Sequence, residues 1–585
     1  MAWQRIVCGL QLMAVCLVSC GLSVVADDYV ARRAGTVLRK HCYRCHGQTL
    51  SYPGLDFSDP ATFVEPASGE VVVIPGDLSN SQLWQVISED RMPPKDQNDY
   101  LSTADKEAIR TWIEQGAKAF PQEKPRQFIA EEKILQWISQ DLSDLELRGE
   151  TLLNQKYFSI AHLHNNPLVS ESDLRIHRAA LSKSLNMMSR SRQITVPEAI
   201  DADQTVFRIN LEDYGWDVDG LWSKVLRVYP YGLKPRSGVR RQLYDRIART
   251  LGEDDFDGIP YLRADWFVAT ATRPPLYHDL LDIPATLAEL DRRLDVDVKT
   301  AFQKNQLLRA GMFRSGVSTQ NRMVERNNSA SRMYWISYDF EKDTGRANLA
   351  RFPLGPKFEG NPHNQFAFDY DGGEVIFELP NRLHGYMLVT SAGNRIDAGP
   401  ITIVYDKRFT SGSPAIVTGL SCMNCHRHGL LPLEQNVREG HAVKKNAQAT
   451  QKVENLYATK ENLQRVLERD NTSFQAALTE VLGPFLLQGE DANLTIKDFE
   501  DPVSLVTLEY NTNLSLQTAA SELGVVDVLG FKRQLDVEVF SGLGIQGLIK
   551  GGTVKRGFWG GTDAEVNSIF QDVADQLGVG SPVGR

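Results

Sequence analysis

Residues 41–47 read HCYRCHG, and that stretch decides what the amino-terminal part of the chain folds around. Two cysteines stand three apart, with a histidine directly after the second. Thiols at this spacing can each add to one vinyl group of a haem, and the adjacent histidine is then held under the iron as its proximal ligand. The pattern returns far downstream in GLSCMNCHRHGL, residues 419–430. Cys42, Cys45 and His46 thus form one candidate attachment site, and Cys422, Cys425 and His426 a second. Of the 7 cysteines, Cys8, Cys16 and Cys20 lie in the first twenty residues, and every other one belongs to a motif. Random placement at this composition gives on the order of 0.002 such motifs per chain. A zinc site or a pair of disulfides would also use two C-x-x-C pairs, but neither asks for a histidine after both. The cofactor expected is haem c, two copies, covalently attached.

The 585 residues are enough for several domains, because single cores seldom grow past about 250–300 residues. With 42% hydrophobic and 24% charged residues the composition is that of a globular protein. A net charge of -10 argues against nucleic acid as a partner, which wants a basic face. MAWQR, an interrupted apolar stretch and VVADD form the pattern of a secretory signal at residues 1–26, cut after Ala26. A rival reading takes LVSC, residues 17–20, as a lipobox that would leave a lipid anchor on Cys20. An uncleaved anchor is the third option. Beyond residue 26 no apolar run spans a bilayer, so no transmembrane span is expected in the mature chain. The location expected is the periplasm or cell envelope.

The segment from residue 28 to 120 is expected to be a small all-α domain around the first haem. The residues ahead of HCYRCHG form a helix with Tyr29, Ala34, Val37 and Leu38 on one side, and ADKEAIRTWIEQGA sets Ala108, Ile109, Trp112 and Ile113 on a matching stripe. Ser79 to Gln82 caps a short helix between them, and Ser102 caps the later one. Then comes RMPPKD. Pro93 and Pro94 hold that loop extended, and the Met92 thioether on it can reach the distal face of haem iron. A methionine in a polar, proline-stiffened loop has no core to fill.

KHCYRCHG, GLDF, VVVIPGDLSNSQLWQVI, RMPPKD and LSTADKEAIRTWIEQGA, in that order, make residues 30–119 resemble the cytochrome c domain abundant in planctomycete bacteria. The resemblance implies Cys42 and Cys45 as attachment points, His46 as proximal ligand and Met92 as distal ligand. His/Met ligation raises the reduction potential relative to bis-His.

After a proline-rich linker at residues 121–127, an α+β region is expected over 128–420 and a mainly helical part with the second motif over 421–585. Helical patterns lie in IAEEKILQWISQDL, SESDLRIHRAALSKSLNMMSRS and VRRQLYDRIARTLG. QTVFRINL and EVIFELPNRLHGYMLVTSAGNRIDAGPITIVYD read as strands, punctuated by PN and AGN turns. GLSCMNCH follows this β segment and not an amphipathic helix, so its haem is expected at a junction. The whole chain resembles uncharacterised multi-domain bacterial cytochromes with this motif after a β segment. The distal ligand of the second haem stays open: His441 and His278 rank together, His162 and His164 follow, and vacancy is the remaining option. Met423 and His428 are held on the proximal side by their spacing.

Minor signals are weaker. EDDFDG, residues 253–258, fails as an EF-hand because Ala264 stands where the acceptor should be. DYDGGE, 369–374, is read as a hairpin turn and VKRGFWGGTD as loop. Three functions fit these features. The first is electron transfer with a redox partner protein or small-molecule donor or acceptor. The second is a peroxidase-like oxidoreductase acting at the second haem, and the third an envelope binding or redox-sensing module.

Overall fold

The computed structural model describes residues 30–39, 41–46, 55–57, 60–64, 71–94, 101, 103–120, 125–251, 259–314, 318, 320–328, 330, 332–439, 443–561 and 566–583, with backbone only for Arg44, Cys45, Ala104 and Glu490. The residues proposed as signal or lipid anchor, as well as Ser102, EDDFDG and His441, lie outside the described residues. These pack as two compact units. One contains the described residues up to Ile129 with 162–174 and 512–559, and the other contains 130–161, 175–511 and 560–585.

In the first unit, residues 30–39 are helical and lead into the motif, whose own last residues form the turn Tyr43–His46. Ala34, Val37 and Leu38 are buried, as are Ala108, Ile109, Trp112 and Ile113 on helix Thr103–Glu114. Both apolar stripes therefore face one core, which also takes in Phe57, Phe63, Leu83 and Ile87. The short helix Gln82–Ser88 starts after Ser81, but the Ser81 hydroxyl does not cap it. It donates instead to the Asp77 carbonyl at 2.6 Å and accepts from the Ile74 N–H, which pins the preceding turn. The end of the expected linker is tied down too: Arg126 donates to the Asn166 and Val169 carbonyls.

The second unit is built on a six-stranded antiparallel sheet whose strands are neighbours in chain order: β1 Leu307–Met312, β2 Arg322–Asn327, β3 Tyr334–Asp339, β4 Gly372–Glu378, β5 His384–Thr390 and β6 Arg395–Ile396. β-Branched and aromatic residues dominate β3 to β5, and both faces are covered, so the strands lack the simple in–out alternation of a half-wet sheet. Register sets which side chains share a face. Arg322 opposes Met312 and Asp339, Trp335 opposes Ile376, and Ile376 opposes Tyr386. Met312, Arg322, Trp335, Glu374, Ile376 and Tyr386 therefore lie on one side. On the other side a buried Arg309–Glu325 ion pair bridges β1 and β2. A four-stranded sheet joins Glu198–Ala199, Val206–Asn210, Gln155–Ser159 and Leu262–Arg263 in that order, and Leu233–Lys234 pairs with Ser581–Pro582.

The expected helices appear as Glu131–Leu147, Glu171–Met187 and Gly238–Thr250. Downstream, Ala447–Leu456 and the long Lys460–Leu486 follow. Three local readings change. ITIVYD, the expected last strand of the hairpin set, is turn and irregular chain. DYDGGE is no hairpin turn, since Gly372 already opens β4 and pairs with both Thr390 and Asp339. VKRGFWGGTD carries the short helix Arg556–Gly560.

Candidate functional site

GLSCMNCHRHGL is clamped over the six-stranded sheet. Two glycines bracket it. Gly419 has φ +83°, and a Cβ there would come within 2.5 Å of the Thr272 carbonyl oxygen. Gly429 has φ +115°, and a Cβ there would meet Asn471 Oδ1 at 2.3 Å. Neither position accepts an ordinary L residue without strain. Between them Leu420–Cys425 forms a helix. The Ser421 hydroxyl accepts from the Val417 N–H, and the Asn424 amide donates to Thr410 Oγ1 at 2.6 Å.

The long helix Lys460–Leu486 forms the opposite wall through a single face. Leu467, Asp470, Asn471, Phe474 and Gln475 recur at three- and four-residue steps, as a 3.6-residue period requires. Asn471 accepts from the Leu430 N–H at 2.7 Å and donates to the Leu430 carbonyl at 3.0 Å, while Gln475 donates to the His428 carbonyl. Asp470 accepts from Arg326 Nε at 2.7 Å and from the Trp335 indole N–H at 2.9 Å, which ties the helix to β2 and β3.

Between sheet, motif and helix lies a cleft that encloses about 130 Å³, or about 880 Å³ once its open mouth is counted. Its lining is mainly apolar, with Val324, Trp335, Ile376, Leu430, Leu433 and Leu467. Cys422, Cys425 and His426 all open onto it. Both cysteines are free thiols. His426 Nδ1 lies 3.3 Å from the Gly429 carbonyl oxygen, which can only accept, so Nδ1 carries a proton. Nε2 in turn lies 3.7 Å from Glu374 Oε2 on β4. The Tyr386 ring is stacked beside His426 at 6.0 Å and 25°.

The electrostatics centre on Glu374. Burial alone raises its carboxyl, but His426, Cys422 and the Arg322 guanidinium outweigh that and bring it down to about 2. Arg322, on β2, is itself paired with Asp339. Burial pushes the Cys422 thiol well above its usual range and the Cys425 thiol up to about 12, with the Glu374 charge adding to both. Unreacted thiols here stay neutral. A haem fits these residues: two thiols and an imidazole with its outer nitrogen already engaged, facing apolar walls.

The first motif has a different setting. His46 is edge-on to Phe57 with ring centroids 5.5 Å apart, and Phe57 contacts Phe63 at 4.8 Å. Burial lowers the His46 pKa, and a hydrogen bond with the Leu55 backbone works against that. Cys42 packs against the helical core. Met92 follows helix Gln82–Ser88 on its loop and is 42% exposed, in keeping with a side chain that has no place in the protein core.

Other predicted residues fall elsewhere. His278 is buried on helix Leu276–Leu281 with Nδ1 3.5 Å from Asp397 Oδ1, and is not part of the cleft lining. Burial, and next the charge of Arg395, lower its pKa to about 4. His428 Nε2 is 3.1 Å from the Phe499 carbonyl oxygen. His162 and His164 belong to the first unit, where His164 lies 3.1 Å from the Gln127 carbonyl oxygen. Sequence reading passed over Glu374, Arg322 and His384. Glu374 and Glu378 share the face of Ile376 in an otherwise buried strand, an arrangement that marks inward-facing charge. His384, fully enclosed, stacks on Phe474 at 3.9 Å.

Residues 42–96 match the family described as Planctomycete cytochrome C. A cytochrome c-type domain implies covalently bound haem c and haem-based electron transfer. No curated protein and no solved structure matches the chain.

Proposed function

We propose that the chain is an exported di-haem c-type cytochrome that moves electrons between a redox partner and a second acceptor or donor. The observation that carries the second haem is the cleft where Cys422, Cys425 and His426 converge, with His426 Nδ1 held by the Gly429 carbonyl. Bound haem supplies a one-electron carrier at each motif. The chain supplies the rest. Cys42 and Cys45 would hold the first group, with His46 and Met92 as the residues that would bind its iron, and Cys422, Cys425 and His426 would hold the second. Ligands kept in both oxidation states make small reorganisation, which suits the first haem to exchange with a partner protein or small-molecule carrier. Among the described residues no helix is long and apolar enough to cross a membrane, and a periplasmic or envelope site, free or tethered through Cys20, accords with the signal-like amino terminus.

A peroxidase-like reading is favoured by one observation, the buried Arg322 and Glu374 charges beside His426. A redox titration of the haem-loaded protein, run beside a peroxide-consumption assay, separates the two. Electron transfer predicts two reversible one-electron steps and negligible peroxide turnover. Sustained peroxide consumption that is lost in Cys422→Ala/Cys425→Ala would replace this reading with the enzymatic one.

A further inference from the structure

We infer that Asn471, with Gln475 beside it, is a positioning residue that sets the reduction potential of the haem proposed at Cys422, Cys425 and His426. The inference rests on that proposed haem and deepens it. His426 is bonded to two successive peptide units of its own turn. The first joins His428 to Gly429. Its N–H donates to the His426 carbonyl at 3.0 Å, and its carbonyl accepts from the Gln475 amide at 2.9 Å. The second joins Gly429 to Leu430. Its carbonyl accepts from His426 Nδ1 at 3.3 Å, and its N–H donates to Asn471 Oδ1 at 2.7 Å. A peptide unit is planar, so gripping one end aims the other. Each unit therefore has one end on His426 and the other on the long helix Lys460–Leu486. Asn471 closes its side twice, because its amide also donates to the Leu430 carbonyl at 3.0 Å.

The helix is itself a fixed frame. Asp470, next to Asn471, accepts from Arg326 Nε and from the Trp335 indole on the sheet. Asn471 and Gln475 stand four apart and share a helix face. One hydrogen-bond chain thus runs from His426 Nδ1 through the Gly429–Leu430 peptide to Asn471 Oδ1. Drawing on the Leu430 N–H makes the Gly429 oxygen a stronger acceptor. A stronger acceptor at Nδ1 puts more negative charge on the imidazole and raises its basicity as an iron ligand. That charge favours ferric over ferrous iron and so lowers the potential. Removing Asn471 should therefore raise it. A side chain that only held the loop in place would cost stability and leave the potential alone.

The test uses the full-length, haem-loaded protein and the variants Asn471→Ala, Gln475→Ala and Leu482→Ala, each checked for two covalent haems by mass. Leu482 is buried on the same helix about 16 Å further along its axis, so its variant is a destabilising control. Redox titration should find the second potential raised in Asn471→Ala, raised less in Gln475→Ala and unmoved in Leu482→Ala, with the first constant throughout. Nitrogen-15 NMR of the reduced wild type should show the His426 Nδ1 proton protected from solvent exchange, and Asn471→Ala should lose that protection. A second potential that moves no further in Asn471→Ala than in Leu482→Ala would overturn the inference and leave the di-haem reading intact. If Asn471→Ala yields no loaded protein, the wild type still decides: a freely exchanging Nδ1 proton overturns the inference and a protected one supports it. A single covalent haem by mass overturns both.

Discussion

The same five-residue motif stands in two unlike settings. Around Cys42 and His46 the chain offers a small helical core, a proline-stiffened loop with an exposed Met92, and an edge-on Phe57. Around Cys422 and His426 it offers a six-stranded sheet, a long helix that grips the motif through Asn471 and Gln475, and buried charges from Glu374 and Arg322. The attachment motif is common to both, so under the proposed di-haem reading what differs is what the iron would meet beyond its histidine. A thioether raises a haem potential, and nearby carboxylates lower it. Two copies of one attachment chemistry can therefore give two potentials, with the environment deciding which is which.

Several substitutions break or sharpen this contrast. The largest effect is expected from Cys422→Ala/Cys425→Ala, which should remove one haem and cut the haem absorbance per chain by about half. Haem stain on denaturing gels and intact mass read this directly. Gly429→Ala comes next. It combines a strained positive φ with a clash on Asn471 Oδ1, and should cost at least about 2–4 kcal/mol in denaturant unfolding. Its damage should fall on the second haem and spare the first.

His278 gives a pH-dependent test inside the second unit. Its folded pKa of about 4 lies below the usual value of about 6.5, so the unfolded chain takes up the proton first. That group's contribution is therefore present above about pH 6.5 and is lost as pH falls toward 4, by up to about 3 kcal/mol. His278→Gln should flatten the stability profile over that window. An unchanged slope would show that His278 is not held neutral. Met92→Ala should lower the first potential by on the order of 0.1 V, a fraction of the ~0.8 V range axial ligands command, and leave the second in place. The mildest change is Asn471→Ala, which removes two hydrogen bonds to Leu430 and should cost about 1–2 kcal/mol. Equal disturbance of both haems by either Gly429→Ala or Asn471→Ala would mean the two settings are not independent.

The helical domain was legible because its stripes are local. Ala34, Val37 and Leu38 recur at helical spacing, and so do Ala108 to Ile113, and both sets are buried as expected. The second motif's cysteines and histidine were legible for the same reason, since attachment chemistry is written in consecutive residues. What surrounds them was not. Glu374 reaches His426 only through the register of β4, and Asn471 reaches Leu430 only because the long helix lies over the motif. Contacts between residues some 40 to 50 positions apart carry no local period. The search for a distal partner among histidines ranked His278 with His441; His278 pairs with Asp397 and does not line the cleft, because ligand type alone says nothing about which strand faces the cleft. ITIVYD misled for the opposite reason: its β-branched run has strand propensity, but pairing on the sheet ends at Arg395–Ile396 and leaves it without a neighbour strand.

The most direct test is the mass of the full-length protein matured with haem-attachment machinery, followed by mass analysis of its proteolytic peptides. The account predicts two haems, one on the peptide containing Cys42 and Cys45 and one on the peptide containing Cys422 and Cys425. A single haem confined to the first peptide, with Cys422 and Cys425 recovered as free thiols, would contradict it.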